Sequence, residues 1–323
     1  MQWIWVEEML REWKEKEYIP SKNMLKLFIK GGFALAKVIL KNPGQLRKVK
    51  EERIEYTPPK RRYELPEYKP DMKVVKSNEK YLRPTLYCNP YAKEIIALAN
   101  HLGAFEKEPY EYARDVFEFV KRNLILQIVP LDGVVATLKR GYGTCLHKIS
   151  LFIALCRAAG LKARYKLYAL SVIQQWYDTF MADPIMQEWY NAMGYFMLHG
   201  EGEVYIDGKW YVADVGPTPE RQAATGIPIT KFGEDSIGIW AQAIPGSIMR
   251  VESLPLGLGI ASKILMEKIS PNSVAKMNNN VLRQVEEGRK ILQTMGEEEY
   301  DRKARKGFKM PTIELEQKNI IFE

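Results

Sequence analysis

The sequence predicts an α+β fold, with helices packed on an antiparallel sheet, an N-terminal arm before them and a helical C-terminal region after. Three observations carry that prediction. Helical periodicity runs from Cys145 to Ala159, stops at Gly160 and hands over to an extended apolar segment at 161–169. Asp207-Gly208 separates two strand-like runs, as a two-residue hairpin turn does. Helix-periodic stretches recur at 91–102, 109–123, 259–269 and 272–296.

At 323 residues the chain is long enough for roughly two domains of about 150 residues. Charge and proline density set off N-terminal helices and a basic, proline-rich arm (1–90), and regular structure resumes at Tyr91. Apolar residues at 46% and charged residues at 27% exclude disorder of the whole chain and a collagen-like repeat. Three cysteines leave no complete pairing, which fits a reducing compartment better than a disulfide framework. No uncharged apolar run reaches about 18 residues, so no transmembrane helix is expected. The first residues, MQWIWVEEML, carry acids where an export signal carries bases. The expectation is a cytoplasmic protein.

Residues 2–18 read as a short helix and 22–41 as a second. In the second, Lys26, Lys30, Lys37 and Lys41 fall within about 60° of one another on the helix. They lie opposite Leu27, Phe28, Phe33, Leu35, Val38 and Ile39. Such a helix docks on its own core or lies on a membrane surface. Residues 22–90 hold 17 Lys and Arg against 7 Asp and Glu, so an anionic surface, membrane or nucleic acid, is a candidate partner for this segment. Pro58, Pro59, Pro66, Pro70, Pro84 and Pro90 forbid long helices between 54 and 90, which reads as an extended arm. In 109–123, Tyr112, Val116, Phe119 and Val120 share one face. Farther on, Gly257-Leu258-Gly259 lacks the third glycine and the lysine of a phosphate loop and reads as a turn. The charged stretch 297–310 reads as a fraying end.

Chemistry concentrates in two blocks. Thr144 is an acceptable N-cap, so Cys145 falls on the first turn of its helix, where unpaired N–H groups and the dipole favour a thiolate. In the hairpin 199–214, opposed residues sum to 415, so Glu201 faces Asp214 and His199 becomes the diagonal neighbour of Asp214 on the same sheet face. Diagonal pairs lie about 7–8 Å apart at the backbone, within reach of an Asp–imidazole hydrogen bond. Cys145, His199 and Asp214 are therefore the candidate catalytic residues, the parts of a Cys-His-Asp triad. Cys156 reads as a buried structural thiol, and Cys88 carries no partner signal. His147 points about 200° away from Cys145 and cannot serve it; like His101 it reads as structural or solvated. Scattered histidines and no Cys-x-x-Cys suggest neither a metal nor another cofactor.

These blocks resemble the transglutaminase-like superfamily in its microbial and archaeal, papain-like branch. The cysteine block matches at Gly141, Gly143, Cys145, Leu155, Arg157, Ala158, Gly160, Leu161, Ala163 and Arg164. The histidine block matches at His199, Glu203, Val204, Tyr205, Asp207, Gly208, Trp210 and Asp214. The resemblance spans about residues 91–235 and implies a papain-like core there, with a catalytic helix packed on an antiparallel sheet, between the arm (1–90) and a helical C-terminal region (236–323). Two positions depart from the family pattern. Glu201 stands where an aromatic is usual, and His147 where an acid often stands.

The resemblance implies a thiol hydrolase acting on the amide bond of a protein or peptide substrate, peptide or isopeptide. The Cys145 N–H would serve as an oxyanion donor, with Gln127 or Tyr142 as its side-chain companion. Two other readings remain open: a protein-glutamine transglutaminase with an amine acceptor, and a binding or scaffold protein that retains the fold without catalysis. Between 171 and 198 the chain carries a helical insertion rich in Trp, Tyr, Phe and Met, which reads as core packing or as a lid over the cleft.

Overall fold

A computed structural model describes residues 22–171, 174–193, 197–234, 242–243, 247–269 and 271–308. The predicted helix at 2–18 lies outside them. Helices α1 (Lys22–Lys41) and α2 (Pro43–Glu51) come first, followed by the arm, α3 (Lys93–His101) and α4 (Pro109–Asn123). A two-residue strand β1 (Ile125–Leu126) runs parallel to β2 (Tyr142–Gly143) on either side of α5 (Val134–Arg140). The central helix α6 (Cys145–Ala158) leads into β3 (Ala163–Ser171), the insertion helices α7 (Gln174–Phe180) and α8 (Pro184–Ala192), and the hairpin β4 (Met197–Ile206) and β5 (Lys209–Ala213). The chain continues through α9 (Pro219–Ala224), β6 (Gln242–Ala243), β7 (Met249–Val251), α10 (Leu256–Lys263), α11 (Pro271–Met295) and α12 (Glu297–Gly307). Among the described residues no helix is long and apolar enough to cross a membrane.

The main sheet runs β5-β4-β3-β6, with β7 also paired to β3, and its described pairings are antiparallel. Asp207 and Gly208 both take positive φ (47° and 82°), the geometry of a type I′ turn that matches strand twist. The turn fixes the register: Ile206 pairs with Lys209 and Gly202 with Ala213. Helix α6 is buried from His147 to Ala158, which is why its sequence is apolar nearly all round. It lies on the Gly200–Gly202 face of β4, where side chains at those glycines would run into Ile149 and Phe152. The glycines thus let the helix approach the strand closely.

The arm has no helix between Arg53 and Ala92, and it clamps the core with specific bonds. Tyr56 donates to Gln127 Oε1, Tyr63 to the Leu138 carbonyl, and the Val75 N–H to the Ala158 carbonyl. Arg83 forms an ion pair with Glu252 at 2.9 Å. Cys88, within this arm, is fully buried.

Sequence and structure differ in three places. Gly257-Leu258-Gly259 lies inside α10 rather than in a turn, because Gly259 backs directly onto the Tyr87 hydroxyl, where a side chain would clash. The stretch after 297 is a formed helix, anchored by Tyr300, whose hydroxyl donates to the carbonyls of Gln222 and Ile227. On α1 Ala34 and Val38 are buried, Val38 packing with Ile185 of α8, while Ile29, Phe33 and Leu40 are exposed.

The insertion is packed as core. Trp176, Phe180, Met181, Met186, Tyr190 and Met193 are buried, most of them in one cluster with Tyr168, Leu170 and Met277. At roughly 1.5–3 kcal/mol per buried apolar side chain, detaching the whole insertion would cost on the order of 10 kcal/mol. Lifting it as one body is too expensive for a routine opening.

Candidate active site

Cys145 begins α6, and its helix start is braced from beneath. The Thr144 N–H donates to Nδ1 of His147 at 3.1 Å, and the Asp132 carboxylate lies 3.2 Å from Nε2 of the same ring. Burial, against the partly compensating Asp132, lowers the His147 pKa and keeps the ring neutral. His147 is thus a buried brace turned away from the thiol, while His101 closes α3 at the surface.

The three candidate catalytic side chains converge on one point, the Cα of Gly216. A Cβ placed there would lie 3.1 Å from Asp214 Oδ1, 3.3 Å from His199 Cε1 and 3.8 Å from Cys145 Cβ. His199 and Asp214 are buried, and Cys145 is partly exposed. Nε2 of His199 stands 3.6 Å from Asp214 Oδ1, and the ring also hydrogen-bonds to Cys145. Tyr168 meets the imidazole edge-on, with ring centres 5.4 Å apart.

Burial works against charge on His199. The bonds to Asp214 and Cys145 and the charges of both outweigh it, and the pKa is raised to about 10. Burial likewise works against charge on Asp214. His199, the Lys121 charge and the Gly216 N–H outweigh it and hold the carboxyl well below the usual carboxylate range. The other two thiols are the reverse case, since burial pushes Cys88 up and Cys156 well up.

Glu201 lies beside this group and is already engaged. It is the cross-strand partner of Lys166, whose amine is 2.9 Å from Oε2, and Oε1 accepts the Tyr168 hydroxyl at 2.9 Å. One ligand atom each of His199, Glu201 and Asp214 lies within 4.8 Å of the others, a grouping that could hold a cation, although Lys166 already supplies a counter-charge to Glu201. Gln127 is committed elsewhere: its amide donates to the Leu126 carbonyl and its oxygen accepts from Tyr56. Tyr142 packs in the same apolar cluster as Cys145.

Residues 96–215 match the model of the transglutaminase-like superfamily. The core is transglutaminase-like. The match includes Cys145, His199 and Asp214, leaves the arm and the C-terminal helices outside, and supports a cysteine-based enzyme in broad terms. Among solved structures, the chain is similar to a candidate cysteine protease from Cytophaga hutchinsonii, at 18% identity and a TM-score of 0.33. That likeness covers 56% of this chain and 57% of the other, so the match spans little more than half the length of that protein. It is also similar to an arylamine N-acetyltransferase from Mycobacterium abscessus, at 14% identity and a TM-score of 0.31, covering 54% of this chain and 70% of that one. No curated protein matches the sequence.

Sequence reading missed several buried cations around this transglutaminase-like core, among them Lys121, Lys148 and Arg221. Lysines are ordinarily placed on solvated faces, and nothing local marks these as different. Lys148 carried a signal, a charged residue at the head of a mostly apolar helical run.

Proposed function

We propose that this protein is a thiol enzyme that transfers an acyl group from an amide, with water as the acceptor: a hydrolase of peptide or isopeptide bonds. The observation that carries this reading is the His199 ring, which bonds to Cys145 on one side and faces Asp214 on the other. A protonated His199 is the counter-ion that a thiolate on Cys145 needs. The Cys145 sulfur attacks the carbonyl carbon, and the oxyanion that develops is stabilised by the Cys145 N–H at the helix start, with Tyr142 as the side-chain candidate. The imidazolium gives its proton to the leaving amine as the C–N bond breaks, which leaves a thioester. His199 then takes a proton from water, the resulting hydroxide adds to the thioester, and the acid product leaves with Cys145 restored. Asp214 holds the ring orientation through both halves.

The test uses a generic acyl donor, p-nitrophenyl acetate. The expected result is a burst of one equivalent of nitrophenolate, with the acetyl group found on Cys145 by mass spectrometry, and no burst in Cys145→Ala. Acceleration by added amines beyond the rate with water would favour the transamidase reading. No burst, with full retention of structure, would favour a non-catalytic protein.

The reading extends to the basic segment. We propose that α1 meets an anionic membrane surface, because Ile29, Phe33 and Leu40 recur at one face beside Lys26, Lys37 and Lys41, which are exposed.

A further inference from the structure

Arg221 lies in α9, seven residues after Asp214, and its side chain is wholly buried. Nε donates to Gln284 Oε1 at 3.1 Å, and the guanidinium carbon sits 3.9 Å from the centre of the Trp176 ring and 5.0 Å from that of Phe180. Its two terminal nitrogens, Nη1 and Nη2, are buried and have no hydrogen-bond partner among the described residues. An arginine stays charged in proteins, and an uncompensated buried charge is costly. Trp176, against which it stacks, packs in one apolar cluster with Cys145, and the charges of Cys145 and Asp214 oppose the effect of burial. The cation therefore lies on the Cys145 side of the core, with its two-pronged end unused among the described residues.

The position is built rather than accidental. Gln284 of α11 holds Nε with its oxygen while its amide donates to Thr179 of α7, so one side chain ties the arginine to the insertion. Helix α11 also comes against α9 backbone to backbone, since any side chain at Gly288 would run into the Glu220 carbonyl. Among the described residues these contacts orient the guanidinium, and none satisfies its fork.

We infer that Arg221 is a substrate-binding residue whose Nη1 and Nη2 take up a carboxylate carried by the substrate close to the scissile amide. A carboxylate matches the fork with two parallel N–H···O bonds, which fixes orientation as well as charge. Trp176 and Phe180 cover the guanidinium, so the anion reaches it when those two rings shift, a far smaller motion than release of the whole insertion. The inference rests on the thiol acyl-transfer reading and narrows its substrates to acidic ones.

Two alkylating probes of nearly equal size test it: iodoacetate, which carries a carboxylate, and neutral iodoacetamide. The readout is the ratio of their rates at Cys145, followed by peptide mass spectrometry, because the ratio cancels any change in thiolate fraction. With wild-type protein, iodoacetate labelling should saturate, and glutarate should slow labelling by iodoacetamide. In Arg221→Met, which keeps the packing stem, the iodoacetate-to-iodoacetamide ratio should fall at least tenfold, and Arg221→Lys should retain part of it. An unchanged ratio in Arg221→Met, with a lowered melting temperature, would mark a structural arginine and overturn the inference. If that variant does not fold, absence of both saturation and glutarate protection in the wild type overturns it equally. Protection by inorganic phosphate but not by glutarate would reject the carboxylate assignment. Failure of the underlying reading looks different: iodoacetamide would then not select Cys145, and the nitrophenyl acetate burst would be missing.

Discussion

Lys148, one turn into the helix that begins with Cys145, places its amine 3.0 Å from the Gly216 carbonyl. The Gly216 N–H in turn donates to Asp214 Oδ1 at 3.0 Å. The helix that carries Cys145 and the carboxylate that faces His199 are thus joined by a single buried amine. Lys148 also donates to the Leu124 carbonyl at 2.7 Å, and Lys121 reaches the next carbonyl, that of Pro217, at 3.0 Å.

Lys148→Met should fill the same space and take the amine donor away from the Gly216 and Leu124 carbonyls. The expected loss is about 2–3 kcal/mol in urea denaturation, together with a drop in the rate of acyl transfer larger than any change in KM. Unaltered stability and rate would mean that the amine does not hold the Gly216 turn.

Thiol accessibility gives a second expectation. Cys88 and Cys156 are buried, and burial raises the pKa of each, whereas Cys145 is partly exposed beside a histidine. Brief treatment with iodoacetamide near pH 6 should label Cys145, and the other two should react only after unfolding. Early label on Cys88 or Cys156 would contradict the site.

A third expectation concerns pH. His199 holds its proton up to about pH 10 in the folded protein, against about 6.5 in an unfolded chain. Between those values the folded state binds more protons. The stabilisation is complete below about pH 6.5 and is lost as pH rises through about 10. Urea midpoints across this range should fall less steeply in His199→Gln than in the wild type. Parallel profiles would rule His199 out as the source.

Asp214 and Glu201 should part company on substitution. Asp214→Asn removes the charge facing His199 and should cut turnover, by up to ~10⁴ if the serine-enzyme precedent transfers. Glu201 is held by Lys166 and Tyr168, so Glu201→Gln should chiefly lower the melting temperature by leaving the buried Lys166 without its counter-charge. Collapse of turnover in Glu201→Gln with near-normal turnover in Asp214→Asn would reverse these roles.

For α1, replacing Ile29, Phe33 and Leu40 together by serine should abolish co-sedimentation with anionic liposomes and leave the core's melting temperature nearly unchanged. Equal binding by the variant would separate the lysines from the apolar stripe and sink the membrane proposal.

What could be read from sequence was local. The helix from Cys145 to Ala158 has its cap, its glycine stop and its periodicity within twenty residues, and the Asp207-Gly208 turn dictates the register that brings His199 to Asp214. The match between α4 and the predicted 109–123 has the same origin, with a proline at its start and one apolar face. What escaped is set by contacts far apart in the chain. Helix α2 lies in a basic stretch with little apolar pattern, and β6 and β7 are too short to alternate visibly. Arg221 is ordinary within PERQAA until Trp176 stacks on it from the insertion. On α1 Val38 of the expected apolar face is buried and Phe33 is exposed, because a helix with apolar residues on more than one side does not declare which side will be covered.

The arm has a consequence for how the chain is made. Tyr56 waits for Gln127, 71 residues later, and Tyr63 for Leu138, 75 residues later. The Tyr81 N–H waits for Glu252, which lies 171 residues downstream. Synthesis runs from the N-terminus, so the first segments to emerge find their partners last. Long separations of this kind slow folding, because chain entropy is lost before contacts are gained. Until Glu252 has left the ribosome, a basic, tyrosine-rich strand hangs beside a half-built core, and its prolines keep it from pairing with the open sheet edge in the meantime.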